Sequence, residues 1–400
     1  MRDYAIGTLS VHAGEDSGQP GCRPISAPIH HAVTYLHDSL EDLDAVLAGS
    51  RPGFVYGRYA NPTVDSLERA VSRLEGTESA LACASGMAAL HLALHCAGAR
   101  RGATILAARD LYGGTRALLS EVFVPAGVTV KFADMTDIEA VRQSVRSVPT
   151  AVVLAETISN PLLRVIDVPA VSTISHQAGA QFVLDNTFAV PCLYPPAADG
   201  VDWVVYSATK YHGGHGDVMG GLIASSFDRC RAAREANKVL GSILGPSEAW
   251  LVLRGIKTLV LRSRQQCASA LTVARFLQTH PRIARVFYPG LTTHPQFTLA
   301  RRLFASNLAG AIVSFELKGA GRDEVFRFME GLRLITSATS LGDVYSLILY
   351  PAQSSHRGLS STERADLGIG EGLVRLSVGI EEPVDLVQDL AQALGSLEEP

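Results

Sequence analysis

Short apolar runs alternate with helical stretches through the middle of the chain. The runs of three to five residues dominated by apolar or β-branched side chains are 104–108, 128–132, 151–155, 181–184, 203–206 and 222–224. Runs of this length between helices are typical of parallel strands that are buried on both faces. The pattern therefore predicts an α/β fold whose central, mainly parallel sheet is covered by helices on both sides.

A helical pattern begins after residue 60 and marks the start of the globular part. Its apolar positions, which share one helix face, are Val64, Leu67, Ala70, Val71 and Leu74. The first 60 residues have no steady periodicity and include a turn-prone stretch at 18–24. We therefore predict an extended N-terminal arm over residues 1–60.

The second half of the chain indicates another, smaller unit. A strongly helical stretch at 247–264 leads to strand candidates at 310–317 and 373–378. A chain of 400 residues is also longer than one ordinary core supports. We predict a large domain over residues 61–255 and a smaller α/β domain over residues 256–400.

Composition narrows the classes of function. Hydrophobic residues make up 47% of the chain and charged residues 18%, and the formal net charge is -4. These values predict a well-buried globular protein without the basic surface that nucleic acid or an anionic membrane requires. No apolar run reaches signal-peptide length at the start or the ~20 residues of a membrane-spanning helix. We expect a cytoplasmic protein with no nucleic-acid or membrane partner.

The cysteines and two histidines are the first candidates for a metal site. The six cysteines are scattered without a C-x-x-C pair, at Cys22, Cys83, Cys96, Cys192, Cys230 and Cys267. We expect reduced thiols with no metal role. His212 and His215 lie three residues apart, but the neighbouring glycines disfavour a rigid pair of ligands. The sequence predicts no metal site.

Polar residues directly follow the predicted strands, at the edge where parallel sheets bind ligands. They are Asp110, Glu156, Asp185 and Lys210. Taken alone, Asp185 is better explained by a helix N-cap or a structural ion pair, and Lys210 equally well by a surface loop. Together they provide what pyridoxal phosphate (PLP) requires, an amine for its aldehyde and a carboxylate that keeps its ring nitrogen protonated. The sequence therefore indicates a PLP site.

Two further segments suit a phosphorylated, planar cofactor. Residues 85–87 open a helical pattern after an apolar run, and a helix N-terminus attracts an anion such as phosphate. Tyr112 precedes two glycines in a loop, where its ring can lie against a planar ligand. Each segment has an ordinary alternative, Ser85 as a plain N-cap and Tyr112 as a turn tyrosine.

These residues resemble a known family, the PLP-dependent enzymes of cysteine and methionine metabolism (trans-sulfuration). The family includes cystathionine γ-lyase, cystathionine γ-synthase, methionine γ-lyase and the homoserine sulfhydrylases. The resemblance runs nearly from end to end of the chain, through residues 10–14, 56–63, 85–87, 112–115, 159–161, 185–188, 207–211, 214–217, 254–259 and 375–379. The residues of these segments are most similar to those of the γ-lyases.

The resemblance implies a fold and an assembly. The fold is that of the fold type I, aspartate-aminotransferase-like PLP enzymes, with an arm, a large cofactor domain and a smaller C-terminal domain. Family members are usually homotetramers, built as dimers of dimers. Tyr56 and Arg58 of the arm would then reach the phosphate in the neighbouring subunit's site, so that each active site is shared.

The resemblance also implies roles for individual residues. Lys210 is similar to the Schiff-base lysine, Asp185 to the partner of the pyridine nitrogen, and Tyr112 to the ring-stacking residue that helps to move protons. The residues implied at the phosphate are Ser85, Gly86, Met87, Ser207 and Thr209. The residues implied at the substrate carboxylate are Arg375, Asn160 and Ser340.

Three positions depart from the family pattern. Gly114 stands where methionine γ-lyases usually carry a cysteine. Tyr345 and Tyr350 stand where relatives commonly have a glutamate and a histidine on the substrate side, so we expect both tyrosines near the substrate. A phenol in place of an anion or an imidazole changes charge and bulk, which favours a specialised substrate over neutral drift.

The predicted function is γ-elimination or γ-replacement on a small amino-acid substrate, either a sulfur amino acid or an O-activated homoserine. An aminotransferase or decarboxylase of the same fold is one alternative, and a non-catalytic relative that acts as a binding protein is another. The γ-leaving group, the nucleophile and the pathway stay open.

Overall fold

The computed structural model describes residues 4–15, 24–305 and 308–398. Cys22 and most of the turn-prone stretch at 18–24 lie outside the described residues. The described part contains a seven-stranded and a five-stranded sheet. None of its helices combines the length and the apolar character that a membrane crossing requires.

The N-terminal arm contains two short helices, α1 (Ile6–His12) and α2 (Leu40–Leu47). The extent of the arm over residues 1–60 stays a prediction, and the two helices are short elements within it. Ser39 caps α2 by accepting a hydrogen bond from the Asp42 amide at 3.0 Å, but no residue of α2 is buried. Its apolar residues Leu40, Leu43 and Leu47 recur at helical spacing, but this stripe is only two turns long and lies within an otherwise irregular segment.

The large sheet has the strand order β1-β7-β6-β5-β4-β2-β3. Its strands are β1 (Ser79–Cys83), β2 (Thr104–Ala108), β3 (Thr129–Ala133), β4 (Val152–Glu156), β5 (Gln181–Asp185), β6 (Trp203–Ser207) and β7 (Gly221–Ser225). The pairs from β3 to β6 are parallel, whereas β7 is antiparallel to both of its neighbours. This arrangement confirms the predicted α/β fold with a mainly parallel sheet.

Helices cover both faces of the large sheet. They are α3 (Pro62–Glu75), α4 (Gly86–Cys96), α5 (Gly113–Leu118), α6 (Ile138–Ser147), α7 (Val168–Gln177), α8 (Val190–Leu193), α9 (Phe227–Leu240) and α10 (Pro246–Ile256). The predicted helix after residue 60 is α3. Asn61 caps it by accepting from the Thr63 amide at 2.9 Å, and Gly76 ends it with a φ of 73°, which suits glycine.

The smaller sheet has the order β10-β11-β12-β9-β8. Its strands are β8 (Ile283–Phe287), β9 (Ile312–Leu317), β10 (Thr336–Ser337), β11 (Leu347–Leu349) and β12 (Leu373–Ser377). The helices in this part of the chain are α11 (Leu259–Thr279), α12 (Phe297–Leu303), α13 (Arg322–Gly331), α14 (Ser361–Leu367) and α15 (Pro383–Gly395), of which α12 packs against the core of the large sheet through Ala300. Helix α11 begins in the core of the large sheet and continues into the core of the small one. A domain boundary near residue 255 stays a prediction.

Candidate active site

One cavity of about 480 Å³ lies at the carboxyl ends of β4, β5 and β6. Its volume falls within the roughly 300–1,000 Å³ that is typical of small-molecule sites. The structure brings together around it most of the residues singled out from the sequence, namely Ser85, Gly86, Met87, Tyr112, Asn160, Asp185, Ser207, Thr209, Lys210 and Arg375. The carboxyl edge of a parallel sheet is where such a site is expected.

The N-terminus of α4 forms one wall of the cavity. Ser85 caps the helix by accepting a hydrogen bond from the Ala88 amide at 3.1 Å. A side-chain carbon on Gly86 would come within 2.8 Å of the Ser207 Cβ, so only glycine lets the helix touch the end of β6. Helix amides therefore face the cavity at close range, an arrangement that suits a phosphate.

Two carboxylates lie side by side at another wall, since Glu156 and Asp185 are paired in register across β4 and β5. Burial raises the pKa of Asp185, although the Thr187 amide donates to it at 2.9 Å. Burial and then the charge on Asp185 raise the pKa of Glu156 well above its usual range. Neighbouring buried carboxylates favour a cationic or protonated partner. A protonated ring nitrogen fits this wall.

Tyr112 is held at the cavity by its backbone and by a neighbouring glycine. Its amide donates to Glu156 Oε1 at 2.6 Å. A side-chain carbon on Gly114 would lie 2.5 Å from Cε1 of the Tyr112 ring. The ring thus packs over Gly114, which gives the glycine at this departure from the family pattern a structural reason.

Lys210 follows β6 and projects into the cavity. Its Nζ donates to Ser340 Oγ at 3.1 Å. Burial lowers the pKa of the Lys210 amine, and the positive charge on Arg375 lowers it further, while Asp343 acts in the opposite direction. A lysine must be neutral to attack a carbonyl group, so this environment suits bonding to a carbonyl cofactor.

Arg375 lies on β12, only 3% exposed, and still faces the cavity. It donates to Asn160 Oδ1 at 3.0 Å and to the Ser340 carbonyl at 3.2 Å. Its Nε is buried and has no hydrogen-bond partner in the part of the chain described. Burial lowers the pKa of Arg375 to about 10. A buried guanidinium without a paired carboxylate is a strong candidate for binding an anion.

Tyr56 and Arg58 do not line this cavity. The Arg58 guanidinium lies 5.4 Å from the centre of the Tyr56 ring and 5.1 Å from that of Tyr59. It also donates to the Lys238 carbonyl. Both residues therefore belong to the surface of the arm.

The two tyrosines expected near the substrate are placed elsewhere in this subunit. Tyr345 is 61% exposed. Tyr350 is 3% exposed, packs edge-on against Phe326 and donates to the Glu371 carbonyl at 2.7 Å. Leu349, the residue before it, does line the cavity. Successive side chains of an extended segment point in opposite directions, so Tyr350 points into the core of the small sheet.

The sequence predicted no individual role for several of the residues that line the cavity. They are Ile158, Thr339, Leu341, Leu349, Ser354 and Ser355. Ser355 also touches the tyrosine loop, because a side-chain carbon on Gly113 would meet its carbonyl oxygen at 2.1 Å. Small polar and aliphatic residues in turns carry no chemical signature, so only the folded chain identifies them.

The two histidines considered as metal ligands lie in separate surroundings. The His212 ring packs against Tyr206 with a centroid distance of 4.8 Å, and His215 Nδ1 lies 2.7 Å from the Gly213 carbonyl. The described ranges contain no group of three or more His, Cys, Asp or Glu that is arranged for a metal ion.

Comparison with known proteins places this site in a family. The sequence profile described as Cys/Met metabolism PLP-dependent enzyme matches residues 7–395. The L-methionine gamma-lyase of Pseudomonas putida is 40% identical over 393 residues, covering 97% of this chain and 96% of that protein. The O-succinylhomoserine sulfhydrylase of Pseudomonas aeruginosa is 38% identical over 397 residues, covering 99% and 97%.

Solved structures agree with this placement. The crystal structure of cystathionine gamma synthase from Xanthomonas oryzae pv. oryzae, in complex with aminoacrylate and cysteine, has a TM-score of 0.92 and 35% sequence identity, and the match covers 99% of each chain. The cystathione gamma lyase CalE6 from Micromonospora echinospora has a TM-score of 0.90 at 38% identity, covering 98% of this chain and 99% of that one.

Proposed function

The chain belongs to the family of Cys/Met metabolism PLP-dependent enzymes, and from that premise we propose how its residues carry out the reaction. The reaction is γ-elimination or γ-replacement on a sulfur amino acid or an O-activated homoserine, since the relatives include γ-lyases, a γ-synthase and a sulfhydrylase. The observation that carries the site assignment is the meeting at one cavity of the half-buried Lys210 amine, the carboxylates of Glu156 and Asp185, and a buried arginine, Arg375, that has no carboxylate partner among the described residues.

The residues proposed to hold PLP fit its chemical groups. PLP supplies an aldehyde that condenses with amines and a ring that accepts electrons from the α-carbon. Lys210 is assigned to the aldehyde, Asp185 to the ring nitrogen and Tyr112 to the face of the ring. The residues assigned to the phosphate are Ser85, Gly86, Met87, Ser207 and Thr209.

The substrate is proposed to lie between the cofactor residues and the small sheet. Arg375 would clamp its carboxylate, with Asn160 and Ser340 fixing the guanidinium. The Lys210 amine is then placed to take the proton from the α-carbon, and the Tyr112 hydroxyl to donate a proton to the leaving group at the γ-carbon. The γ-substituent would meet Ser354 and Ser355.

Substrate choice is tested by product identification. The purified protein, supplied with PLP, is incubated with methionine, cystathionine, homocysteine, S-adenosylmethionine and the O-acetyl, O-succinyl and O-phospho esters of homoserine, with and without thiols. We expect a 2-oxo acid and ammonia, or a thioether, from at least one of them, at a turnover on the order of 1–10 per second. Mass spectrometry identifies the products.

Two results of this assay would contradict the proposal. One is accumulation of pyridoxamine phosphate together with a 2-oxo acid that retains its γ-substituent, which would indicate an aminotransferase. The other is absence of turnover with every γ-substituted amino acid, which would favour a non-catalytic relative. The Lys210→Ala variant, assayed in parallel, measures the background.

We propose in addition that the protein is a homotetramer in which dimer partners share active sites. Large apolar side chains on the arm are exposed to solvent, with Ile25 93% exposed and Leu36 98% exposed. Exposed apolar patches of this kind mark protein interfaces. Tyr56 and Arg58 lie on the same arm and outside their own cavity, so a second copy could receive them.

Complementation tests the sharing of sites. Arg58→Ala is expected to weaken PLP binding about tenfold or more, the loss of one charge-assisted hydrogen bond, and Lys210→Ala to abolish turnover. Mixed dimers of the two variants contain one intact site, so at a PLP concentration too low to load Arg58→Ala a random mixture should regain about one quarter of wild-type activity. Activity no higher than the sum of the parents would contradict sharing. Arg51→Ala, which removes an exposed arm arginine paired with Asp42, is the control.

A further inference from the structure

One segment of the small unit runs directly along the loop that carries the proposed cofactor lysine. We call residues 340–344 the clamp and residues 210–216 the lysine loop. Ser340 Oγ accepts from Lys210 Nζ at 3.1 Å, and the Val344 amide donates to the Gly214 carbonyl at 2.9 Å. The clamp is therefore hydrogen-bonded to both halves of the lysine loop.

The middle of the clamp is packed as closely as its ends. A side-chain carbon on Gly342 would come within 2.8 Å of the Tyr211 amide nitrogen. A side-chain carbon on Gly216 would lie 3.7 Å from the Asp343 carboxyl group. The Gln266 side chain also donates to the Asp343 carbonyl at 2.8 Å. This packing fixes the Asp343 carboxylate against the lysine loop.

Asp343 is a buried carboxyl group that forms no ion pair within the described residues, although the Gly216 backbone amide donates a hydrogen bond to it. It is 3% exposed, and its Oδ1 has no hydrogen-bond partner among the residues that the structure describes. The groups of opposite charge that act on it are Lys210, His215 and Arg262. A buried carboxylate in this position must be offset by the charges that face it.

Two of those three groups are engaged elsewhere. Arg262 donates to the Tyr211 carbonyl at 2.9 Å, to the Gly255 carbonyl at 2.7 Å and to the Thr258 hydroxyl at 3.1 Å. His215 Nδ1 is already 2.7 Å from the Gly213 carbonyl. Lys210 is the group whose charge changes during the reaction. The negative charge of Asp343 therefore has its main effect on the Lys210 amine.

We infer that Asp343 is a positioning residue for Lys210, since its buried carboxylate is packed against the lysine loop by the same clamp whose Ser340 hydroxyl accepts a hydrogen bond from the Lys210 amine. The inference rests on the proposed role of Lys210. When Lys210 takes a proton from the substrate α-carbon, its neutral amine becomes an ammonium and the carbon keeps the electron pair. Asp343 takes no proton itself. It stabilises the charge that Lys210 has acquired and opposes the effects of burial and of Arg375.

The test measures the pKa of the Lys210 amine in the whole chain after PLP has been removed. Wild type and Asp343→Asn are labelled with acetic anhydride across a pH series, and the Lys210 peptide is quantified by mass spectrometry. Without the carboxylate the pKa of Lys210 falls, so more amine is neutral near pH 7. Labelling there should be faster by about threefold or more, with the midpoint at lower pH. Asp343→Glu should return the midpoint towards wild type.

Controls separate this role from a structural one. Asp217→Asn removes an exposed acid just beyond the same loop and should leave the Lys210 midpoint unchanged. In the holoenzyme, Asp343→Asn should lower kcat by about tenfold with little change in KM, because a weaker base abstracts the proton more slowly. If Asp343→Asn does not fold by circular dichroism, Asp343→Ser takes its place.

The outcomes distinguish this inference from the proposed role of Lys210. An unchanged midpoint in a folded neutral variant, or an equal shift in Asp217→Asn, would overturn the role of Asp343 even if Lys210 bonds to the cofactor. Attachment of the cofactor at another lysine would instead overturn the role of Lys210, whatever the labelling shows.

Discussion

Replacing Lys210 by alanine is expected to abolish covalent attachment of PLP and to lower kcat by at least about 10³-fold. A positioned general base contributes about 10²–10⁴-fold, and loss of the covalent link adds to this. The side chain contacts the cavity and Ser340, so alanine removes the amine without disturbing a core residue. The measurement is steady-state turnover with the preferred substrate, together with the visible absorption of the purified protein.

The matched control is Lys318→Ala, at a lysine on an exposed turn after β9. It makes the same substitution and should leave turnover and absorption at wild-type values. If Lys210→Ala retained a substantial part of wild-type turnover, a different residue would be the base. If both variants lost activity equally, the loss would reflect general damage to the protein.

Replacing Arg375 by lysine is expected to lower kcat/KM by roughly 30-fold or more while PLP stays attached. Losing a buried charged pair costs about 2–5 kcal/mol, and about 1.4 kcal/mol is a factor of ten. Lysine keeps the charge but not the planar fork that matches a carboxylate. The α-amide of the preferred substrate provides the specific measurement, since wild type should discriminate strongly against it and Arg375→Lys much less.

The control for this substitution is Arg327→Lys, at an arginine with a side chain that is 56% exposed and paired with Glu324 along one helix. It should leave the ratio of acid to amide turnover unchanged. An Arg375→Lys variant that kept the wild-type ratio would show that another group binds the carboxylate. The absorption spectrum of each variant verifies that the cofactor is still bound.

The residues proposed to bind the cofactor could be predicted from local sequence, because they directly follow strands. Strands β2 and β4 to β7 consist mainly of apolar residues, so their ends could be located within one or two residues. Asp185 and Lys210 lie at or just after those ends. The geometry of a parallel sheet then brings them to one edge without any further information.

The substrate half could not be predicted in the same way. It is formed by turns of the small unit, where β10 has two residues and β11 three, too short for a periodic pattern. The sequence pointed to Tyr350, but Leu349 has the side chain that faces the cavity. A shift of one residue reverses the direction of a side chain in extended backbone, and only the register with β12 decides it.

Two elements at the edges of the fold were also hard to predict from the pattern of apolar residues. Strand β8 lies at the edge of the small sheet and has no fully buried residue, so its apolar residues are interrupted by arginine. Helix α2 of the arm has no buried face at all. Strand β8 depends on its pairing with β9, and a pattern that reports burial does not detect it. The apolar stripe of α2 is two turns long and does not stand out within the arm.

The most direct test of the account is to identify the lysine that carries the cofactor. The purified protein with PLP is reduced by sodium borohydride and digested, and the modified peptide is sequenced by mass spectrometry. The chain has five lysines, Lys131, Lys210, Lys238, Lys257 and Lys318. We expect a pyridoxyl phosphate group on Lys210. A label on any of the other four, or no label on the chain, would contradict it.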